Sequence, residues 1–321
     1  MRSTQSRVLV LSISLAVPVS ATRRPVRPIA HQEEAVPVER REASRPSLEV
    51  VAGLHEAGHH TEEFDALRRE RDRLDLGGEP LGAAEVCRLI AVCHRERGEW
   101  EAALLAQRDW FARLASAPPS ADTARLKLDA ALAVAESLRE LGRHGEALET
   151  LEEAHHLLPA AEATELQEAL VLERTGFALY QLDRNYEAVA RFRLVLDLRR
   201  RAHGEDDYEV AQALNNLANA LNSVGGHEEA VGLLGEASEM LDRLRRGESC
   251  AKAAILDSLG VGLFGLDRPN EGLAMYQENL VLERSLHQGD HLHSANGIYS
   301  LAGGLLDSGR PTDAVARYRV A

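Results

Sequence analysis

The 321-residue chain predicts an all-α fold, a solenoid of antiparallel helix pairs, and three observations carry that expectation. A turn-forming residue returns at a nearly fixed interval: Gly98, Gly142, Asp183, Gly225, Asp267 and Gly309 are spaced by 44, 41, 42, 42 and 42 residues. Around each turn the same columns recur. A small residue stands five positions beyond it (Ala103, Ala147, Ala188, Ala230, Gly272, Ala314), a second small residue seven before it (Ala91, Ala135, Gly176, Ala218, Gly260, Ala302), and an apolar residue eleven before it (Cys87, Ala131, Leu172, Leu214, Leu256, Ile298). The composition is 45% apolar but only 4% aromatic, which suits units that bury their faces against neighbours rather than around one central core.

From the start of the chain, residues 1–21 have the layout of a secretory signal peptide. Arg2 and Arg7 precede the apolar run VLVLSISLAVPV and the small residues Ser20 and Ala21. That run is too short for the roughly 20 residues a membrane-spanning helix needs. Export, periplasmic or secreted, follows if the leader is cleaved; otherwise the expected compartment is the cytoplasm. Residues 22–47 hold Pro25, Pro28, Pro37 and Pro46 among charged residues without apolar periodicity, the composition of a disordered linker. A helical pattern begins near Leu48, and residues 48–82 fit a degenerate N-terminal hairpin that caps the array, with Gly58 as its turn.

That hairpin contains His55-Glu56-Ala57-Gly58-His59. Two histidines at i and i+4 share a helix face and suit zinc, with Glu56 as general base for a metal-bound water. The HEAGH spelling is similar to that of the membrane-bound AAA metalloproteases. The chain departs from them: His60-Thr61-Glu62-Glu63 follows where those enzymes continue with an apolar helix, and no third ligand or AAA module can be assigned. A zinc hydrolase is therefore the lesser alternative, and no metal or other cofactor is expected. Cys87, Cys93 and Cys250 form neither a metal pattern nor a disulfide framework. His287, His291 and His293 cluster at a joint between units and read as structural.

From Ala83 to the C-terminus the helix pairs follow one another. The clearest is AQALNNLANALNSVGGHEEAVGLL, residues 211–234. Leu214, Leu217, Ala218 and Leu221 fall on one buried helix face, Gly225 and Gly226 supply the turn, and Glu228 and Glu229 sit favourably in the first turn of the next helix. The last pair ends part-way through its second helix, which predicts an uncapped end face open to self-association. The formal charge is −14, and Arg2, Arg7, Arg23, Arg24 and Arg27 lie within the first thirty residues. The body is thus more acidic still, which argues against a nucleic-acid partner. No membrane insertion is expected beyond the leader.

The ALNNLANAL string, the small-residue columns and the joints HGEDDYEVAQAL (203–214) and QGDHLHSANGI (288–298) resemble the tetratricopeptide repeat in its longer, kinesin-light-chain variety. The resemblance implies a right-handed superhelix whose first helices line a concave, protein- or peptide-binding face through positions two, five, nine and twelve of each unit. In the central unit these are Gln212, Asn215, Asn219 and Asn222, which fall within an arc of about 80° on a helix. Amide side chains donate and accept, matching the backbone of an extended peptide, and asparagine is a poor helix former that propensity alone would not select. Phe177 and Tyr180 in the preceding unit, Val261 and Phe264 in the next, then Asn296 and Tyr299, extend the face with apolar contacts. Towards the N-terminus it turns charged, with Arg88, Arg95, Asp129, Glu136, Arg139 and Glu173. The expected function is a non-catalytic protein-interaction scaffold; the alternative within binding is a regulatory or sensor arm of a larger signalling system.

Overall fold

The computed structural model describes residues 60–244, 246, 249–287 and 292–318. The expected leader, linker and HEAGH motif lie outside these residues. The chain divides into two units, one through Ala66 and one from Leu67 onward. Among the described residues there are thirteen helices and no strand. In chain order they are α1 (His60–Leu76), α2 (Pro80–Glu96), α3 (Trp100–Ala115), α4 (Ala121–Glu140), α5 (His144–Leu157), α6 (Glu165–Gln181), α7 (Asn185–His203), α8 (Tyr208–Ser223), α9 (His227–Arg243), α10 (Cys250–Gly265), α11 (Pro269–His287), α12 (Leu292–Asp307) and α13 (Pro311–Tyr318). None is long and apolar enough to cross a membrane.

In the second unit each turn column marks the middle of a helix pair. All six turn residues have left-handed backbones, with φ between 58° at Asp267 and 83° at Gly225. Aspartate tolerates that region better than most side chains, which is how Asp183 and Asp267 replace glycine. The turn closes through backbone bonds: Gly226 N donates to the Leu221 carbonyl at 2.9 Å, and Arg268 N to that of Leu263 at 2.9 Å, satisfying carbonyls left over at the helix end. Arg143, Arg184 and Arg268, just after their turns, pair with Glu146, Glu187 and Glu271 in the first turn of the second helix.

The joints between pairs use different chemistry. Ser120, Thr164, Asp207 and Ser249 cap α4, α6, α8 and α10, their side-chain oxygens accepting backbone N–H groups, while α3, α5, α7 and α9 have no side-chain cap. These four first helices start from a linker and take a capping residue, whereas α2, with Pro80 in its first turn, follows the Gly77-Gly78 turn without a side-chain cap, and a second helix starts from the preformed turn.

The small-residue columns are filled by rings from the partner helix. A Cβ on Gly176 would stand 2.8 Å from the Phe192 ring, one on Gly260 2.3 Å from Tyr276, and one on Gly272 2.6 Å from Phe264. The apolar column is buried throughout, from Cys87 to Ile298. One continuous core extends from Ala124 in α4 to Leu259 in α10, and Leu273, Tyr276, Leu280, Ile298 and Leu301 form a further cluster beyond it. Every helix from α2 onward packs on the next, and first helices also touch across pairs, α4 on α6, α8 on α10 and α10 on α12. Among the described residues the second helices show no comparable contact with one another, so first helices form the closer layer.

Candidate functional site

Of the four amides on α8, the structure commits two to the next pair. Ser258 on α10 donates its hydroxyl to Asn215 Oδ1 at 3.0 Å. Asn222 Nδ2 donates to the Ser258 carbonyl at 3.1 Å, and Asn222 Oδ1 lies 3.2 Å from His227 Nδ1. Asn222 is only 9% exposed. Its expected place on the open face is therefore corrected: α10 packs over the end of α8, where Ser258 takes the amide N–H and His227 at the start of α9 lies beside the amide oxygen. Gln212 and Asn219 differ. Both are half-buried, and neither side chain hydrogen-bonds within the described residues.

The flanking residues also divide. Phe177 meets Phe192 edge-on at 5.2 Å between centroids, and Phe264 stacks on Tyr276 at 5.8 Å, so both rings are largely spent on packing within their own pair. The Tyr180 hydroxyl accepts from Ser223 Oγ at 3.2 Å. Val261 is half-buried, and Tyr299 is 58% exposed. The side chain of Asn296 lies outside the described residues.

Toward the N-terminal side four of the charged positions, Arg88, Glu136, Arg139 and Glu173, are held in ion pairs. Arg88 forks onto Glu85 at 2.6 and 2.9 Å. Burial pushes the Asp129 carboxyl up against the pull of Arg88. Glu136 pairs with Arg174 and lies 3.5 Å from Arg139. Burial opposes its charge, but the combined pull of Arg174, Arg139 and Arg95 holds its carboxyl below the usual range. Glu173 accepts from Arg199 at 2.9 Å and from Asn216 at 3.0 Å. Burial nevertheless pushes the Glu173 carboxyl up.

Sequence reasoning missed Ser258, His227 and Arg199 as the groups that engage these side chains. The available signal was the column nine positions before each turn, where Asn216, Ser258 and Ser300 follow one another. A shallow depression of about 500 Å³, lined by Glu168, Leu172, Leu194 and Arg201 among others, lies between α6 and α7 and contains none of the expected contact residues. Among the described residues no three His, Cys, Asp or Glu side chains gather as metal ligands.

A family model described as tetratricopeptide repeat matches residues 167–243. No curated protein sequence matches the chain. Among solved structures, BtubC (BKLC) from P. vanneervenii is 19% identical, with 68% of this chain and 87% of that chain covered and a TM-score of 0.55. A putative kinesin light chain of Podosopora anserina, with nearly identical TPR-like repeats, is 17% identical over 60% of this chain and 94% of its own, TM-score 0.52. A signal-transduction ATPase with a tetratricopeptide repeat sensor from Pyrococcus horikoshii is 13% identical over 85% of this chain and 41% of its own, TM-score 0.62. Residues 167–243 thus match the tetratricopeptide repeat, and the unit that holds them shares the helix-pair solenoid fold of these structures.

Proposed function

We propose that the protein is a non-catalytic interaction scaffold that holds an extended peptide, or an extended segment of a partner protein, along the first-helix layer between Phe177 and Tyr299. One observation carries the reading. Gln212 and Asn219 stand half-open on that layer with unspent amides, while Asn215 and Asn222 on the same helix are tied to α10. A helix interior has no intrinsic use for such amides, and a peptide backbone offers both a donor and an acceptor to each. Val261 and the exposed Tyr299 ring add apolar contact, the amphipathic kind favoured at binding surfaces.

The test is selection of binding peptides from a random display library on the full chain, followed by titration of the best binder against wild type and a Gln212→Ala/Asn219→Ala variant. The reading expects at least about tenfold weaker binding to the variant, the loss of one or two net hydrogen bonds, with unchanged helicity. Equal affinity for both proteins contradicts it. A second reading draws on the Pyrococcus architecture, where such an array is a sensor: this chain would then be the sensing arm of a signalling system. It differs in expecting a captured partner to be an effector whose activity changes on binding.

A further inference from the structure

Eleven residues beyond the turn, the second helices α3, α5, α7, α9 and α11 carry Asp109, Glu153, Leu194, Glu236 and Glu278. Four are acids and one is a leucine. Leu194 is nevertheless 46% exposed, and it lines the depression of about 500 Å³ between α6 and α7. Leu172 and Leu198, 4% and 5% exposed, give that depression an apolar floor. Glu168, Asp197, Arg200 and Arg201 complete its lining.

The lining charges are not balanced by one another. Arg200 is held by Glu236 at 2.5 Å and Glu205 at 3.3 Å, and Arg201 stands 3.6 Å from Glu165; all three acids lie outside the lining. Glu168, half-buried, and Asp197, exposed, have no ion pair or side-chain hydrogen bond among the described residues. The unanswered charge in the depression is therefore negative. Two pairs further on, the position of Glu168 is taken by Lys252, each fifteen residues before its turn. Lys252 is 7% exposed, and its ammonium donates to the Ser238 carbonyl and hydroxyl and to both Asp242 oxygens at 2.5–3.2 Å. Those partners come from the last turns of α9. Before Glu168 stands α5, with 14 residues where α3, α7, α9 and α11 have 16–19, and Pro159 falls where Asp242 stands. An acid thus occupies the place of a buried lysine, and the short α5 brings it no counter-charge.

We propose that this depression binds a small organic ammonium, a cationic nitrogen on an apolar body, with the nitrogen at Glu168 and Asp197 and the body on Leu172, Leu194 and Leu198. Its volume falls within the roughly 300–1,000 Å³ of small-molecule sites, which pair an apolar lining with a few polar groups. Ammonium–carboxylate bonds are charge-assisted and give the orientation. The leucines distinguish this ligand from a bare metal ion, because apolar surface is stabilised only by covering it with an apolar group. None of the residues expected on the peptide-binding face takes part, so the site does not depend on the peptide reading.

The test titrates the full chain by calorimetry with 4-phenylbutylammonium and, in parallel, with 4-phenylbutyrate and 4-phenylbutanol. Expected is saturable binding of the ammonium with a Kd on the order of 1 mM, about tenfold or more tighter than the acid or the alcohol. Glu168→Gln/Asp197→Asn should weaken it about tenfold or more. Leu194→Lys, which sets a competing cation at an exposed position, should abolish it. Both variants should keep the helical signal, since neither loses an internal bond. Gln212→Ala/Asn219→Ala should bind the ammonium as wild type does, which separates this site from the proposed peptide face. A wild type without saturable ammonium binding overturns the proposal, and so does an alcohol or acid that binds as tightly. An ammonium affinity untouched by both Glu168→Gln/Asp197→Asn and Leu194→Lys overturns it as well, placing the contact elsewhere on the chain.

Discussion

Asn219 and Asn222 lie one turn apart on α8 and carry the same side chain, yet the first has no partner within the described residues and the second bonds to Ser258 and lies beside His227. Removing them should have opposite consequences. Asn222→Ala deletes a buried amide at a helix joint and should cost about 2 kcal/mol. Asn219→Ala should stay within about 0.5 kcal/mol of wild type, since alanine is the better helix former and no internal bond is lost. Urea unfolding of the two variants measures the difference; equal losses would mean that Asn219 is structural as well. The helical period placed all four amides of α8 on one face in the sequence. Which of them is spent depends on where α10 arrives, 36 residues on, and no local pattern encodes that. Position 183 or 267 could likewise be read as a turn from its column, while its left-handed backbone needed the structure.

Between elements, the pairing of helices rests on glycine against ring. Gly260→Ala would bring a Cβ to 2.3 Å from the Tyr276 ring, a separation real contacts do not reach, so α10 and α11 must part. A loss of about 1–3 kcal/mol is expected, visible as a lowered urea midpoint; an unchanged midpoint would mean that Tyr276 swings aside freely. The sequence showed this column as small without showing why, because the ring belongs to the other helix of the pair. Charge acts between elements as well. Glu136 on α4 meets Arg174 on α6, and its carboxyl is held below the usual range although burial alone would raise it. A depressed folded value contributes stability that is present above the ordinary glutamate range of about 4.3 and is lost as pH falls through the folded value. The stability gap between wild type and Glu136→Gln should therefore be constant above about pH 6 and shrink toward pH 3. A gap that does not change with pH would show that the pair contributes only packing.

At the scale of the second unit, the repeat period alone predicted the stacking of helix pairs, because each pair meets mainly its neighbours and the same columns must be buried each time. The proposed binding face was legible only as an arc on a helix wheel. The structure adds that, among the described residues, first helices approach one another across pairs more closely than second helices do, and that Asn215 and Asn222 on that arc are consumed by contacts between pairs. What the period could not show is where the repeat departs from itself, as at Arg199 and Glu283, buried where the other pairs carry leucine, since a column of mostly apolar residues reads as core. The identity of the proposed partner is likewise not encoded in any repeat column; on this reading its recognition rests on side chains free to differ from pair to pair.

The central claim, that a partner lies along the first-helix layer, is tested most directly by site-specific photo-crosslinking. A photoreactive amino acid is placed at Asn219 in one version of the full chain. In another it replaces Leu105 on the second helix α3, a residue 70% exposed. Each version is irradiated in the native lysate and with a selected peptide. The account predicts a discrete covalent adduct from position 219, competed away by unlabelled peptide, and none from position 105. Adducts at 105 with silence at 219, or equal and uncompeted labelling at both, would contradict it.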